Sequence, residues 1–137
     1  MRRLLDAVEN SPPSEAATIA FAHILHAYQI WHDRIGGIEG PVKPWVKLTI
    51  PECRDMLDSL TNRYRTTLEP LTSAGLGSLV TYRTTEGQRF SNSMSDILLH
   101  LSLHSAYHRG QVNRLIREAG GEPAVIDFVD FAREQQD

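Results

Sequence analysis

A lone cysteine, Cys53, rules out an internal disulfide, so nothing in this sequence calls for an oxidising compartment. With no histidine close to it in sequence, Cys53 reads as a partly buried bystander rather than a nucleophile. No apolar run approaches the length of a membrane span. The opening MRRLLDAVENSPPSE has two arginines but no apolar stretch behind them, so it is not read as a secretory signal. A cytoplasmic location is the expectation. Neither is there a basic block: the net charge is −3 with both signs mixed along the chain, which argues against nucleic acid as a partner. Repeats, low-complexity tracts and a linker are missing as well. At 137 residues the expectation is therefore one domain, 1–137, long enough to bury a core.

What the sequence does have is histidine. The stretch Ile97 to Arg117, ILLHLSLHSAYHRGQVNRLIR, carries His100, His104 and His108 at a spacing of four. In a helix, positions i and i+4 lie one above the other on one face. With Ile97 set at zero, Leu101, Val112 and Leu115 fall within about 60° of it. His104 and His108 fall about 20° to either side, inside the apolar stripe, and His100 about 60° off, at its margin. Imidazoles among core leucines are costly unless something satisfies them. A shared metal ion is one answer, and a hydrogen bond to a backbone carbonyl is the other.

The remaining elements follow from caps and periods. Residues 3–9 make a short helix that Ser11-Pro12-Pro13 ends. Ser14 caps a second helix, Glu15 to Ile35, with Ala17, Ala20, Ile24, Ala27, Trp31 and Ile35 on one side and Gly36-Gly37 as its stop. On that helix His23 borders the apolar stripe beside Ala16, Ala27 and Ile30. His26 points toward Gln29 and Asp33, and His32 lies opposite His23; both read as solvated surface. Residues 36–51, GGIEGPVKPWVKLTIP, form a long Gly/Pro-rich connection in which Trp45 anchors the loop to the bundle. A third helix runs from about Pro51 to Ser73, with Leu57, Leu60, Tyr64, Leu68 and Leu71 at helical spacing and Pro70 kinking or ending it.

The period then changes. Leu79 to Thr84 and Gln88 to Ser91, around Thr85-Glu86-Gly87, predict a hairpin. Asn92, Ser93 and Ser95 offer caps for the histidine helix, which closes at Gly120-Gly121. The tail, with Ile126, Phe128, Val129 and Phe131, is expected to pack as a short helix starting near Asp127. The class that emerges is all-α: a four-helix bundle with a short β-hairpin before the last long helix. The residues that face inward on two separate helices are His23, His104 and His108. Three neutral imidazoles leave positions open to water or substrate, as catalytic sites do. Zinc is the default ion, and nickel, iron and manganese also accept imidazole.

His104-Ser-Ala-Tyr-His108-Arg-Gly-Gln111, with LLHLSL before it and GGEPAVIDFVDF after it, resembles the signature of the DinB-like family of damage-inducible four-helix-bundle proteins. Phe21-Ala-His23-Ile-Leu through Trp31 and the Arg34-Ile-Gly-Gly turn resemble that family's second helix. The resemblance covers nearly the whole chain. The departures are an N-terminal region shorter than usual and a second histidine, His26, beside the expected ligand. What the resemblance implies is an up-down-down-up bundle, a divalent metal (zinc or nickel) on His23, His104 and His108, and a homodimer. The wider superfamily is similar to metal-dependent hydrolases and to S-transferases that use a low-molecular-weight thiol, which implies a metal-activated thiolate or hydroxide. A stress-related metal- or ligand-binding dimer without turnover is the alternative. Tyr107 and Gln111 flank the histidines, so with His26 and His100 they are candidates to touch a ligand or hold the metal-binding rings. Arg109 points away from the stripe, toward a salt bridge or the N-terminal tail. Gly110 is expected to let another helix approach closely.

Overall fold

The computed structural model describes residues 1–38, 40, 43–84 and 86–134. Six helices and one two-stranded sheet follow one another among them: α1 (Arg2–Asn10), α2 (Glu15–Ile35), α3 (Ile50–Leu68), α4 (Ser73–Leu76), β1 (Leu79–Arg83), β2 (Arg89–Ser93), α5 (Met94–Glu118) and α6 (Phe128–Glu134). The molecule is an all-α bundle of α1, α2, α3 and α5 with a short hairpin, as the hydrophobic periods predict. Of the turn at 85–87, Thr85 lies outside the described residues, as do Glu39, Pro41 and Val42 of the long connection.

The caps set the helix ends. Ser14 Oγ accepts from Ala17 N at 3.2 Å and opens α2. Thr49 and Glu52 form a reciprocal capping box at the start of α3, so Pro51 sits where its missing N–H costs nothing. That helix stops at Leu68, before Pro70 and short of Ser73, because a proline clashes with the helical turn before it. Ser93 Oγ accepts from Asp96 N and starts α5 immediately after β2, with no loop between them. At the far end Gly120 has φ +84, Gly120 N bonds Arg117 O and Gly121 N bonds Ile116 O. This is a Schellman closure, which needs a residue that tolerates the left-handed region.

Side-chain contacts fix the helix directions. Arg2 pairs with Asp58, and Asp6 and Glu9 pair with Arg54, so α1 and α3 are antiparallel. Met1 lies against Ser105 while Gly121 lies against Ser11, so α1 and α5 are parallel. Ring contacts put His23 beside His108 and Trp31 beside His100, so α2 and α5 are antiparallel. The order is up-down-down-up. The 36–49 connection is what lets α3 run parallel to α2, since a short loop would force it to turn back.

The core joins Leu4, Leu5 and Val8 of α1 to Phe21, Ile24 and Leu25 of α2, Cys53, Leu57 and Leu60 of α3, and Ile97, Leu101, Val112 and Ile116 of α5. Cys53 is fully buried, deeper than the sequence implied, and burial raises its thiol pKa to about 11, so it stays protonated and inert. Two expectations fail at the surface. The tail does form a helix, but Phe128, Val129 and Phe131 are more than half exposed; what docks is Ala124 and Ile126. The reason is Asn113, whose side chain donates to Ala124 O at 2.7 Å and accepts from Ala124 N at 3.0 Å, pinning the chain ahead of α6 rather than α6 itself. Gly110 is exposed and has nothing within 4 Å of a Cβ placed on it, so no other helix among the described residues approaches it. Among the described residues no helix is long and apolar enough to cross a membrane.

Candidate metal centre

The seam between α2 and α5 holds the histidines. His23 stands between Ala20 and Ala27 on its own face of α2, and all three are buried. Alanine at those positions lets α5 come close while leaving room for a ring between the helices. From α5, His104 and His108 supply two more rings one turn apart. The ring centroids lie 4.4 Å apart for His23 and His108, 4.4 Å for His104 and His108, and 5.2 Å for His23 and His104. One nitrogen from each can be chosen so that all three lie within 4.8 Å of one another. Metal–nitrogen bonds of about 2.1 Å in a tetrahedral site set ligand atoms about 3.4 Å apart. The three rings can therefore hold a metal ion with side-chain adjustment alone.

Hydrogen bonds decide which nitrogens are free. His23 Nδ1 lies 2.9 Å from Pro44 O. A carbonyl oxygen can only accept, so Nδ1 carries the proton and Nε2 keeps its lone pair. His108 Nδ1 lies 2.8 Å from Gln111 Oε1 and is assigned the same tautomer. His104 Nδ1 is buried and has no hydrogen-bond partner among the described residues. A buried imidazole nitrogen with no partner is costly unless a ligand or ion completes it. The ionisation of His104 and His23 agrees. Burial, then the charges of His108, His23 and His100, lowers the His104 pKa to about 4. Burial lowers that of His23 too, partly opposed by its bond to Pro44. Neutral imidazoles are the form that binds metal.

Trp45 was read from the sequence as a loop anchor, and what it anchors to is His23. Its ring stacks on the imidazole with centroids 3.7 Å apart and planes 7° from parallel, while 58% of the residue stays exposed. Pro44 and Trp45 thus grip His23 from its edge and its face. Nothing in the local period of 36–51 points to this; the only sign was a tryptophan following a proline in a connection too long to be idle.

His26 is not solvated as the wheel suggested. Every residue from Ala20 to Ala27 is buried, because α1, α3 and α5 all pack on this part of α2 and leave it no solvent face. His26 answers its burial locally, with Nδ1 2.8 Å from Ala22 O, and stands outside the three-ring group. His32 also departs from the solvated reading: it is half-buried, with Nε2 3.1 Å from Thr67 Oγ1 and Nδ1 3.0 Å from Arg63. His100 is exposed, edge-on to Trp31, with its ring 5.7 Å from that of His104. Tyr107 is 66% exposed and touches His108 only by a ring edge, so of the two flanking residues it is Gln111 that reaches a cluster nitrogen. Arg109 leaves the cluster as expected; burial first, and the Arg109 charge second, hold the Met1 amine below its usual pKa.

No curated protein and no solved structure matches this chain. A family model does, over residues 7–137, which takes in the end of the first helix, the Trp45 loop and both histidine helices. With that match across almost its whole length, the chain belongs to the DinB family.

Proposed function

We propose that this protein is a metal-dependent enzyme that activates a thiol or a water molecule against an electrophilic small molecule, as an S-transferase or a hydrolase, with zinc or nickel held by His23, His104 and His108. The observation that carries the reading is the convergence of three imidazoles on one point, one of them with a buried nitrogen that has no partner among the described residues. A divalent ion held only by neutral ligands keeps its full double charge, and in that setting it lowers the pKa of a bound thiol or water toward neutrality.

The protein's own residues supply the rest. Pro44 and Gln111 fix the tautomers of His23 and His108, so both present a lone pair without reorganising. Trp45 covers one face of His23, and its exposed side leaves the approach to the cluster from solvent partly apolar. The ionisable groups that perturb His104 are other histidines, with no carboxylate among them. Such surroundings suit an anionic nucleophile, a thiolate above all.

The test is metal analysis of the purified protein followed by turnover assays with thiols and a generic electrophile. We expect one ion per chain and thiol-dependent turnover that a chelator stops. Protein that takes up no zinc or nickel and stays inactive with every thiol and ester tried would overturn the reading. A metal-binding homodimer without turnover is the second reading, favoured by the exposed row Leu99, Leu103 and Tyr107 on α5, the apolar face a second copy would cover. Tight metal uptake with no turnover, in a protein that sediments as a dimer, would select it.

A further inference from the structure

A second concavity adjoins the centre. Between the C-terminal end of α2, the 43–44 stretch and the hairpin lies a cavity of about 500 Å3. Its size is that of an ordinary small-molecule site. Arg34, Lys43 and Arg83 line it, with Asp33 as the only carboxylate among the described lining residues. Asp33 is already engaged by Arg63. The lining is thus cationic in a protein whose net charge is −3.

Arg34 is the best-placed of these cations. Its guanidinium carbon sits 4.7 Å from the centroid of Trp31 and 4.8 Å from that of Tyr82. Those two rings meet edge to face, 4.9 Å apart. The pair holds the guanidinium in one place at little entropic cost, and a planar fork fixed in that way suits a carboxylate. Glu86, on the hairpin turn, places a charge near Arg34 but does not line the cavity.

The cavity and the histidines share parts. Pro44 lines the cavity and accepts the His23 hydrogen bond. Trp31 touches both Tyr82 and His100. On α2, His23, Ala27, Ile30 and Arg34 repeat at helical spacing on one face, and the rise from His23 to Arg34 is about 16 Å. A ligand that touches both ends must be elongated.

We propose that this cavity binds the carboxylate end of an elongated small molecule, with Arg34 as its main anchor and Lys43 as its second, while the other end of the molecule extends along α2 toward the three histidines. The second half of that statement rests on the function proposed above; the first half does not, and it can be tested on metal-free protein.

The probe is succinate, with the neutral diamide succinamide and inorganic phosphate in parallel, read by NMR at the Trp31 indole N–H and the Arg34 Nε–H. Succinate is expected to give saturable shifts at both, and succinamide none. Arg34→Gln should weaken succinate by about tenfold, as loss of a charge-assisted pair does, and Lys43→Gln by less. Lys43 is exposed, so its variant tests the site even if Arg34→Gln disturbs the Trp31–Tyr82 contact. No saturable shift, equal binding of succinamide, preference for phosphate, or affinity unchanged in both variants would each overturn the carboxylate site. Succinate binding in a protein that never takes up metal would leave the cavity standing and remove the function proposed for the histidines.

Discussion

One helix, α2, has two polar seams, and they are built on opposite plans. Toward α3 it carries His32 and Asp33, and both have partners there, as the neighbouring Tyr64 does. His32 meets Thr67 and Arg63, Arg63 pairs with Asp33, and Tyr64 Oη donates to Tyr28 O at 2.8 Å. Toward α5 it carries His23, in a group where one ring nitrogen is satisfied by a loop carbonyl, one by a glutamine, and one, His104 Nδ1, by nothing described. A closed network repays burial by holding helices in register. An open one is a standing cost that only a ligand relieves, which is why the α5 side is the candidate site and the α3 side is scaffold.

The largest effect should come from replacing an open nitrogen. His104→Leu is expected to abolish metal retention, read as metal per chain after desalting, while leaving the metal-free protein as stable or slightly more stable in a thermal melt. A melt lowered by several degrees with metal still bound would reverse the assignment of the two seams. Gln111→Leu comes next. It leaves all three rings in place but frees the orientation of His108, so metal affinity should fall by about tenfold to a hundredfold in a competition titration, with the ligand count unchanged. Unaltered affinity would mean that Gln111 is no part of the centre.

The sequence displays these seams unequally. His104 and His108 were legible because α5 has a solvent face, so a helical wheel separates inside from outside. The same wheel misplaced His26, because α2 between Ala20 and Ala27 is enclosed by three helices and has no outside. Bundle class, hairpin and most caps were readable from local signals: Ser14, Ser93, Gly36 and Gly120 each act within one turn of themselves. The helix directions were not, apart from the family resemblance. Trp45 on His23 and Asn113 on the Ala124 backbone are contacts between distant segments whose side chains carry no period. For the same reason the exposed phenylalanines of α6 resembled a packed stripe.

The α3 side offers the converse substitution. Arg63→Met removes the partner of a carboxylate that is only 16% exposed and strips a hydrogen bond from His32. A loss of about 1–3 kcal/mol is expected in denaturant unfolding, with metal content untouched. Pairing it with Asp33→Asn should recover part of that loss, since the cost of breaking an ion pair lies mostly in the charge left behind. Full additivity of the two substitutions would show that the seam is not a network.

The smallest effect concerns acid, and it separates the seams by their protonation. His104 is held at about 4 against an unfolded value near 6.5, so below 6.5 the unfolded chain takes a proton that the folded ring refuses. Stability of the metal-free protein is therefore full above 6.5 and drains as pH falls from there to about 4. His23 and His32 contribute with the same sign: burial first lowers both, and the Arg63 charge adds to it at His32. The His104→Leu variant should lose the larger part of that slope and keep the part due to His23 and His32. Since His104 is only half-buried, solvent screens the effect and the slope will be shallow. With metal bound, protons must also displace the ion, so acid should act more steeply on the loaded protein than on the empty one. Equal slopes in loaded and empty protein would mean that the ion sits somewhere other than on these rings.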